Sequence, residues 1–590
     1  MARAKRAALG LPFFVCGLLA LALYRPIPAG ADASARPAPE PASGLQPKRA
    51  VSAKHFMVAA AHPLAVEAGY RILQRGGSAI DAAIAVQMVL NLVEPQSSGV
   101  GGGAFILHYS AADRKLKVYD GRETAPATAR ADRFIGPDGQ PLKFLDAEVG
   151  GKSVGTPGVL RALELAHARY GKLPWAQLFQ PAIRLAEKGF PISPRLHRLL
   201  GRVRLAGRNP AMRRMYYRED DTPKPAATLL KNPALADTLR KIAAQGADAL
   251  YRGEIARDIV GAVRDAVHPG DLSEQDLARY RAREREPVCA PYRRWTVCGV
   301  PPPSSGGVAV LQVLGMLEDL APLALPTDPV RAAHLIAETE RLAYADRERY
   351  LADADFVPVP VAGLIDPEYL VERAALVRPD RELGHVEPGA PPGARSGELA
   401  DGAAPELPCT SDIAIVDAAG DAVEMTSSIE FAFGSQQMVR GFLLNNQLTD
   451  FSFVAEQGGK LVANRVEPGK RPRSAMSPTM VFDREGRLVL LLGSAGGSAI
   501  INHVVKTLVG VLDWHEDIQQ AIALPNFGNR NGPTELERGS AAERWAAPLR
   551  ALGHEIRLID MNSGVQGIER TRAGWRGGAD PRREGVAKGD

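Results

Sequence analysis

The stretch ELPCTSDIAIVDAAGDAVEMTSSIEF, residues 406–431, sets Cys409, Thr410 and Ser411 side by side at the entry to a strand pattern. Cys, Thr and Ser are the side chains that serve as N-terminal nucleophiles in hydrolases that cut themselves open. The segments SDIAIVD and DAVEMTSSI alternate or run apolar at strand length around the turn AAG, which predicts a hairpin. A turn centred near Ala419 places Ser428 across from Thr410. Two facing hydroxyls can orient a nucleophile, or they can be an ordinary cross-strand pair. A Cys before a strand is equally compatible with an inert small hydrophobe. Periodicity alone leaves these readings open.

The chain around this hairpin has 590 residues, 45% hydrophobic and 24% charged, the composition of a globular protein with a large core. Its formal charge of +5 is small for that length, and no basic run with interleaved aromatics occurs, which argues against nucleic-acid binding. Arg3, Lys5 and Arg6 precede the apolar run AALGLPFFVCGLLALALY, and Ala29-Gly30-Ala31 offers a small-residue cleavage site. This is the pattern of a secretory signal peptide over residues 1–31, with an uncleaved N-terminal anchor as the alternative. Either reading exports the body of the protein to the periplasm or the medium. Residues 32–52 are Pro/Ala-rich and read as a linker. Of the four cysteines, Cys289 and Cys298 flank APYRRWTV and are read either as a small disulfide or as two separate thiols. The chain has no C-x-x-C pair, H-E-x-x-H motif or EF-hand loop, so neither a structural metal nor a cofactor is expected.

Helical spacing recurs in PLAVEAGYRILQRGG (63–77), SAIDAAIAVQMVLNLVEP (78–95), residues 156–189 and residues 329–353. The second of these is apolar on most faces and should be buried. Residues 388–408 are rich in Pro, Gly and Ala and read as an exposed loop, and no internal repeat is found. PTMVFDREGRLVLLLG (478–493) predicts a second hairpin and AIINHVVKTLVGVLDW (499–514) a helix. Strands and helices in blocks suggest stacked sheets with helices outside. GVGGGAF (99–105) follows a helix and enters a strand, the reverse of the order a dinucleotide fingerprint needs. GSAGGSAI (493–500) runs from a strand into a helix; its N–H groups either converge on an anion or form a plain turn.

Together these segments resemble the gamma-glutamyltransferase (glutathione hydrolase) family over nearly the whole chain. The resemblance is carried by residues 62–105, YDGRETAP (119–126), residues 155–193, PPPSSGG (301–307), GFLLNNQLTDFS (441–452), PGKRPRSAMSPTMV (468–481), GSAGGSAIINHVV (493–505) and residues 564–590. It implies an α/β fold, the four-layer αββα sandwich of N-terminal-nucleophile hydrolases, formed jointly by two autoproteolytic fragments. It implies cutting between Cys409 and Thr410, giving a large subunit, 53–409, and a small one, 410–590. It implies Thr410 as nucleophile, Ser428 as its orienting hydroxyl, and the Gly496 and Gly497 amides as oxyanion donors. Arg122 and Ser474 match positions that hold the substrate α-carboxylate. Asp450, Gln447 and Glu430 match positions that hold its α-amino group. The implied partners are glutathione and related γ-glutamyl compounds, together with water, amino acids or peptides as acyl acceptors.

Several positions depart from that pattern. Asp412 stands where the family commonly has His, and Ala475 replaces the second Ser of a Ser-Ser pair. The segment from Asp450 to Ser474 is short, and LPNFGNRN (524–531) replaces the usual Pro-Arg. These departures leave room for a glutaryl-type cephalosporin acylase or a poly-γ-glutamate depolymerase on the same fold, and for an uncleaved homologue without enzymatic activity.

Overall fold

A computed structural model of the chain describes residues 44–203, 209–320, 327–395, 397–402, 404 and 409–590. The export segment, residues 1–31, and the first part of the Pro/Ala-rich stretch lie outside the described residues. Among them, two seven-stranded antiparallel sheets dominate. The front sheet runs Val586–Gly589, Met57–Ala60, Thr410–Val416, Ala422–Ser428, Gly103–Ser110, Lys115–Asp120, Arg283–Arg285. The back sheet runs Val51–Ala53, Gly574–Ala579, Gln566–Thr571, Leu488–Gly493, Thr479–Phe482, Trp295–Gly299, Val288–Tyr292.

The strand Thr410–Val416 is buried along its whole length, so its period-2 alternation divides two apolar cores rather than core from water. Ile413 and Ile415 join Val423 and Met425 under the helices Ala79–Val93, Val159–Tyr170 and Gln180–Lys188. Ala414 and Val416 face the other way and pack with Leu490, Leu491 and Ile568 of the back sheet. That core continues into the helices Gly306–Asp319, Pro329–Tyr350 and Ile500–Leu512. The layers are therefore helix, sheet, sheet, helix, the expected αββα sandwich. By the same alternation Thr410 and Asp412 look inward between the sheets. Ser411 looks toward the helices, where it accepts from Ser98 Oγ at 3.1 Å.

The predicted helices form where the spacing placed them. All fifteen residues of Ala79–Val93 are buried, and a Ser78/Asp81 capping box starts the helix. Gly99–Gly103 turns the chain from that helix into the strand Gly103–Ser110 beside Ser428. This turn must be glycine for lack of space. A Cβ on Gly101 would sit 2.1 Å from the Leu443 carbonyl oxygen, and one on Gly102 2.2 Å from that of Ser428. Cys289 and Cys298 face each other on adjacent back-sheet strands and are joined as a disulfide. The linker expected to reach residue 52 ends earlier. Gln46 N–H donates to the Pro581 carbonyl, Lys48 Nζ bonds the carbonyls of Asp580 and Arg583 at 2.7 Å, and Val51–Ala53 pairs with Gly574–Ala579. No described helix is long and apolar enough to cross a membrane.

Replacing Gly102 by Ala should push the carbonyl end of the Ser428 strand aside at a cost of about 1–3 kcal/mol. Thermal denaturation should record a lower midpoint than for Gly261→Ala, a helical glycine with open space around it.

Candidate active site

The hairpin register sets Thr410 directly opposite Ser428, as the turn position predicts. Thr410 Oγ1 donates to Ser428 Oγ at 3.4 Å, and Ser428 Oγ donates to the Cys409 carbonyl at 2.9 Å. Ser428 Oγ also accepts from the Glu430 N–H at 2.8 Å. A hydroxyl offers one proton and two lone pairs, so Ser428 is fully engaged in this relay. The relay joins a hydroxyl to a carbonyl: it draws on the Thr410 proton and withdraws electrons from the Cys409 carbonyl. Arg583 Nη1 donates to the Thr410 carbonyl at 2.7 Å and fixes the strand entry from the other side.

Thr410 and Ser428 line a cavity of about 20 Å³, shared with Arg122, Glu430, Gln447, Asp450, Ser474 and Gly497. Arg122 is buried at the end of Lys115–Asp120 and pairs with Asp450, Nη2 to Oδ2, at 2.5 Å. Its Nε and Nη2 also bond the carbonyls of Pro472 and Arg473, while Nη1 meets no hydrogen-bond acceptor. Glu123 lies 3.8 Å from that Nη1, but burial pushes its carboxyl up to about 8, so it is protonated at neutral pH. Gln447 Nε2 donates to Asp450 Oδ2 at 2.8 Å, which leaves its Oε1 buried and unpartnered. Glu430 is held at φ +78° and accepts from Asn446 Nδ2 at 2.5 Å. A left-handed glutamate is strained, and its side-chain bond holds it in place. Ser474 Oγ accepts from the Met476 N–H at 3.1 Å.

Gly496, at φ +140°, adjoins the cavity residue Gly497, at φ +56°. Among the described residues neither N–H meets an acceptor. A Cβ on Gly496 would lie 2.7 Å from the His503 ring, so bulk as well as φ requires glycine there. The sequence-derived site residues thus line one cavity, apart from Gly496 and Cys409, which adjoin Gly497 and Thr410 in the chain. Arg583 and Asn446 were not singled out, although both fall inside stretches that carry the resemblance.

Against known proteins, the pattern described as Gamma-glutamyltranspeptidase matches residues 65–590. This chain belongs to that family. The glutathione hydrolase proenzyme of Bacillus subtilis (strain 168) is 35% identical over 91% of this chain and 92% of its own. The acylase ACY 1 proenzyme of Pseudomonas sp. (strain V22) is also 35% identical, over 88% of this chain and 90% of that one. Among solved structures, cephalosporin acylase from Bacillus halodurans superposes with a TM-score of 0.79 at 26% identity, covering 95% of this chain and 99% of that one. Gamma-glutamyltranspeptidase relatives and acylases therefore share this architecture.

Asp412, two residues beyond Thr410, is an acid buried between the sheets, and its environment explains how it is tolerated. Asp412 accepts from Thr426 Oγ1 at 2.9 Å, and its carboxyl and that of Glu424 crowd together over the bare Cα of Gly493. Burial pushes Asp412 up to about 7 and Glu424 well above the carboxylate range, so the pair shares a proton. Glu424 carries no sequence signal of this pairing. Elsewhere, among the described residues, His334, Glu338 and His554 bring metal-capable atoms within 4.8 Å. Their four ring nitrogens are already occupied. His334 Nδ1 meets His554 Nε2 at 2.7 Å, and the outer nitrogens meet the Arg378 carbonyl and Thr534 Oγ1.

The carboxyl pair fixes the sign of a pH effect. Folded-state affinities above the unfolded value mean that its contribution is full below about pH 4 and is lost as pH rises through about 7. Thermal midpoints measured from pH 4 to 8 should fall more steeply for the native chain than for Glu424→Gln. Parallel curves would refute the shared proton.

Proposed function

We propose that this protein is an exported, self-cutting γ-glutamyl hydrolase and transferase whose nucleophile is Thr410. The observation that carries the reading is the relay from Thr410 through Ser428 to the Cys409 carbonyl. Thr410 Oγ attacks the Cys409 carbonyl carbon, the C–N bond breaks, and the acyl group moves to oxygen while its proton moves to nitrogen. Water then hydrolyses the ester, leaving a Cys409 carboxylate and a free α-amine on Thr410. An α-amine titrates near roughly 7.7–8, so it can serve as general base at neutral pH. The base comes into being only when the chain is cut.

In the cut enzyme Thr410 Oγ attacks a γ-amide carbonyl, and the Gly496 and Gly497 N–H groups meet the developing oxyanion. The amine takes the hydroxyl proton and returns it to the leaving amine. Water or an amino compound then removes the acyl group from Thr410. The buried ion pair of Arg122 and Asp450 suits a zwitterion, with the guanidinium meeting the α-carboxylate and Asp450, Gln447 Oε1 and Glu430 meeting the α-ammonium. A glutaryl group has the carboxylate but no ammonium, so it would leave the buried Gln447 Oε1 unsatisfied; this favours γ-glutamyl donors over the acylase reading. The disulfide Cys289–Cys298 and the basic-then-apolar N-terminus support export into an oxidising compartment.

Denaturing electrophoresis with N-terminal sequencing should give two fragments, the smaller beginning Thr-Ser-Asp-Ile. Thr410→Ala should stay one chain, and Ser428→Ala should cut at least about tenfold more slowly. With γ-glutamyl and glutaryl anilides, kcat/KM should favour the γ-glutamyl compound by about a hundredfold or more. Preference for the glutaryl compound would make the protein an acylase.

A further inference from the structure

The segment LPNFGNRN, where the family's usual Pro-Arg is absent, runs beside the glycine loop. We propose that Arg530 of this segment is a positioning residue that braces the Gly496–Gly497 loop through Ser498. The inference rests on the oxyanion role given to those glycines.

Ser498 is the residue immediately after the pair, buried in the short turn Gly497–Ala499 that opens the helix Ile500–Leu512. It is held at both ends. Arg530 Nη1 donates to its hydroxyl at 2.7 Å, and the Tyr344 hydroxyl donates to its carbonyl. Arg530 is itself fixed, with Nη2 on Glu535 Oε1 at 2.6 Å and its side chain buried. The strand it extends, Phe527–Asn529, is anchored in turn. The Asn529 N–H donates to Glu340 Oε2 at 2.9 Å, on the same helix, Pro329–Tyr350, that supplies Tyr344. Both arms of the clamp therefore reach Ser498 from that helix and the segment tied to it. Neither Arg530 nor Ser498 lines the cavity at Thr410.

The clamp answers a physical need. Two successive left-handed glycines are the most permissive backbone available, and free loops of this kind lose directed N–H donors to conformational freedom. Oxyanion stabilisation depends on donors fixed before the reaction starts. A charge-assisted hydrogen bond in a buried setting fixes the loop one residue from the donors. Self-cutting makes no such demand, because the Cys409 carbonyl already accepts from Ser428 Oγ.

The two reactions should therefore separate. Arg530→Gln should cut itself to the same extent as the native chain, yet turn over a γ-glutamyl anilide about 10–100-fold more slowly in kcat, with KM changed less than about threefold. Arg530→Lys, which can reach Ser498 or Glu535 but not both, should recover part of that loss. Ser498→Ala should reproduce it, and the double variant Ser498→Ala/Arg530→Gln should be no slower than either single one, because both remove the same contact. A kcat for Arg530→Gln within twofold of native, or additive losses in the double variant, would overturn the brace. So would impaired self-cutting in Arg530→Gln, which would point to a general folding defect. A native protein that cuts itself but hydrolyses no γ-glutamyl or glutaryl amide would instead remove the oxyanion reading, and the brace with it.

Discussion

The pairing of Thr410–Val416 with Ala422–Ser428 is the constraint on which the rest depends. The two strands lie at the middle of the front sheet and are buried on both faces, so a slip of one residue would turn every side chain to the wrong core. Register is therefore set by the large apolar interior. The hydroxyl pair at the strand ends inherits that setting: no local feature has to align Thr410 with Ser428, because Ile413, Ile415, Ala414 and Val416 already do so.

Around that pair the molecule handles buried charge in two ways. At the cavity, opposite charges remain, as in Arg122 with Asp450. Where only packing is needed, like charges are neutralised by a shared proton, as in Asp412 with Glu424. The first arrangement sets each desolvated charge against its opposite. The second fills the space above Gly493 without leaving a bare anion between the sheets.

Much of this was legible in the sequence, and the limits have physical causes. Short-range patterns marked the hairpin, the buried helix and the glycine turn, because strand alternation, helix spacing and turn chemistry are local. The cavity residues were reachable only through resemblance, since Arg122, Gln447 and Ser474 lie far apart in the chain and share no periodicity. Glu424 looked like a polar residue in a strand, and only the fold sets it against Asp412. Arg583 and Arg530 act on backbone or hydroxyl groups across long separations, and a single arginine carries no local sign of that. The joining of Cys289 to Cys298, left open by spacing alone, follows from their direct opposition on adjacent strands.

The grip of Arg583 on the Thr410 carbonyl spans 173 residues of sequence. A ribosome adding about 5–20 residues per second needs roughly 10–35 seconds to cover that interval. Until then the strand entry lacks this clasp, and the neighbouring strand Val586–Gly589 is also missing from the edge of the front sheet. The order of synthesis thus acts as a clock, keeping the strand entry at Thr410 from its finished geometry until the last strands of the chain exist.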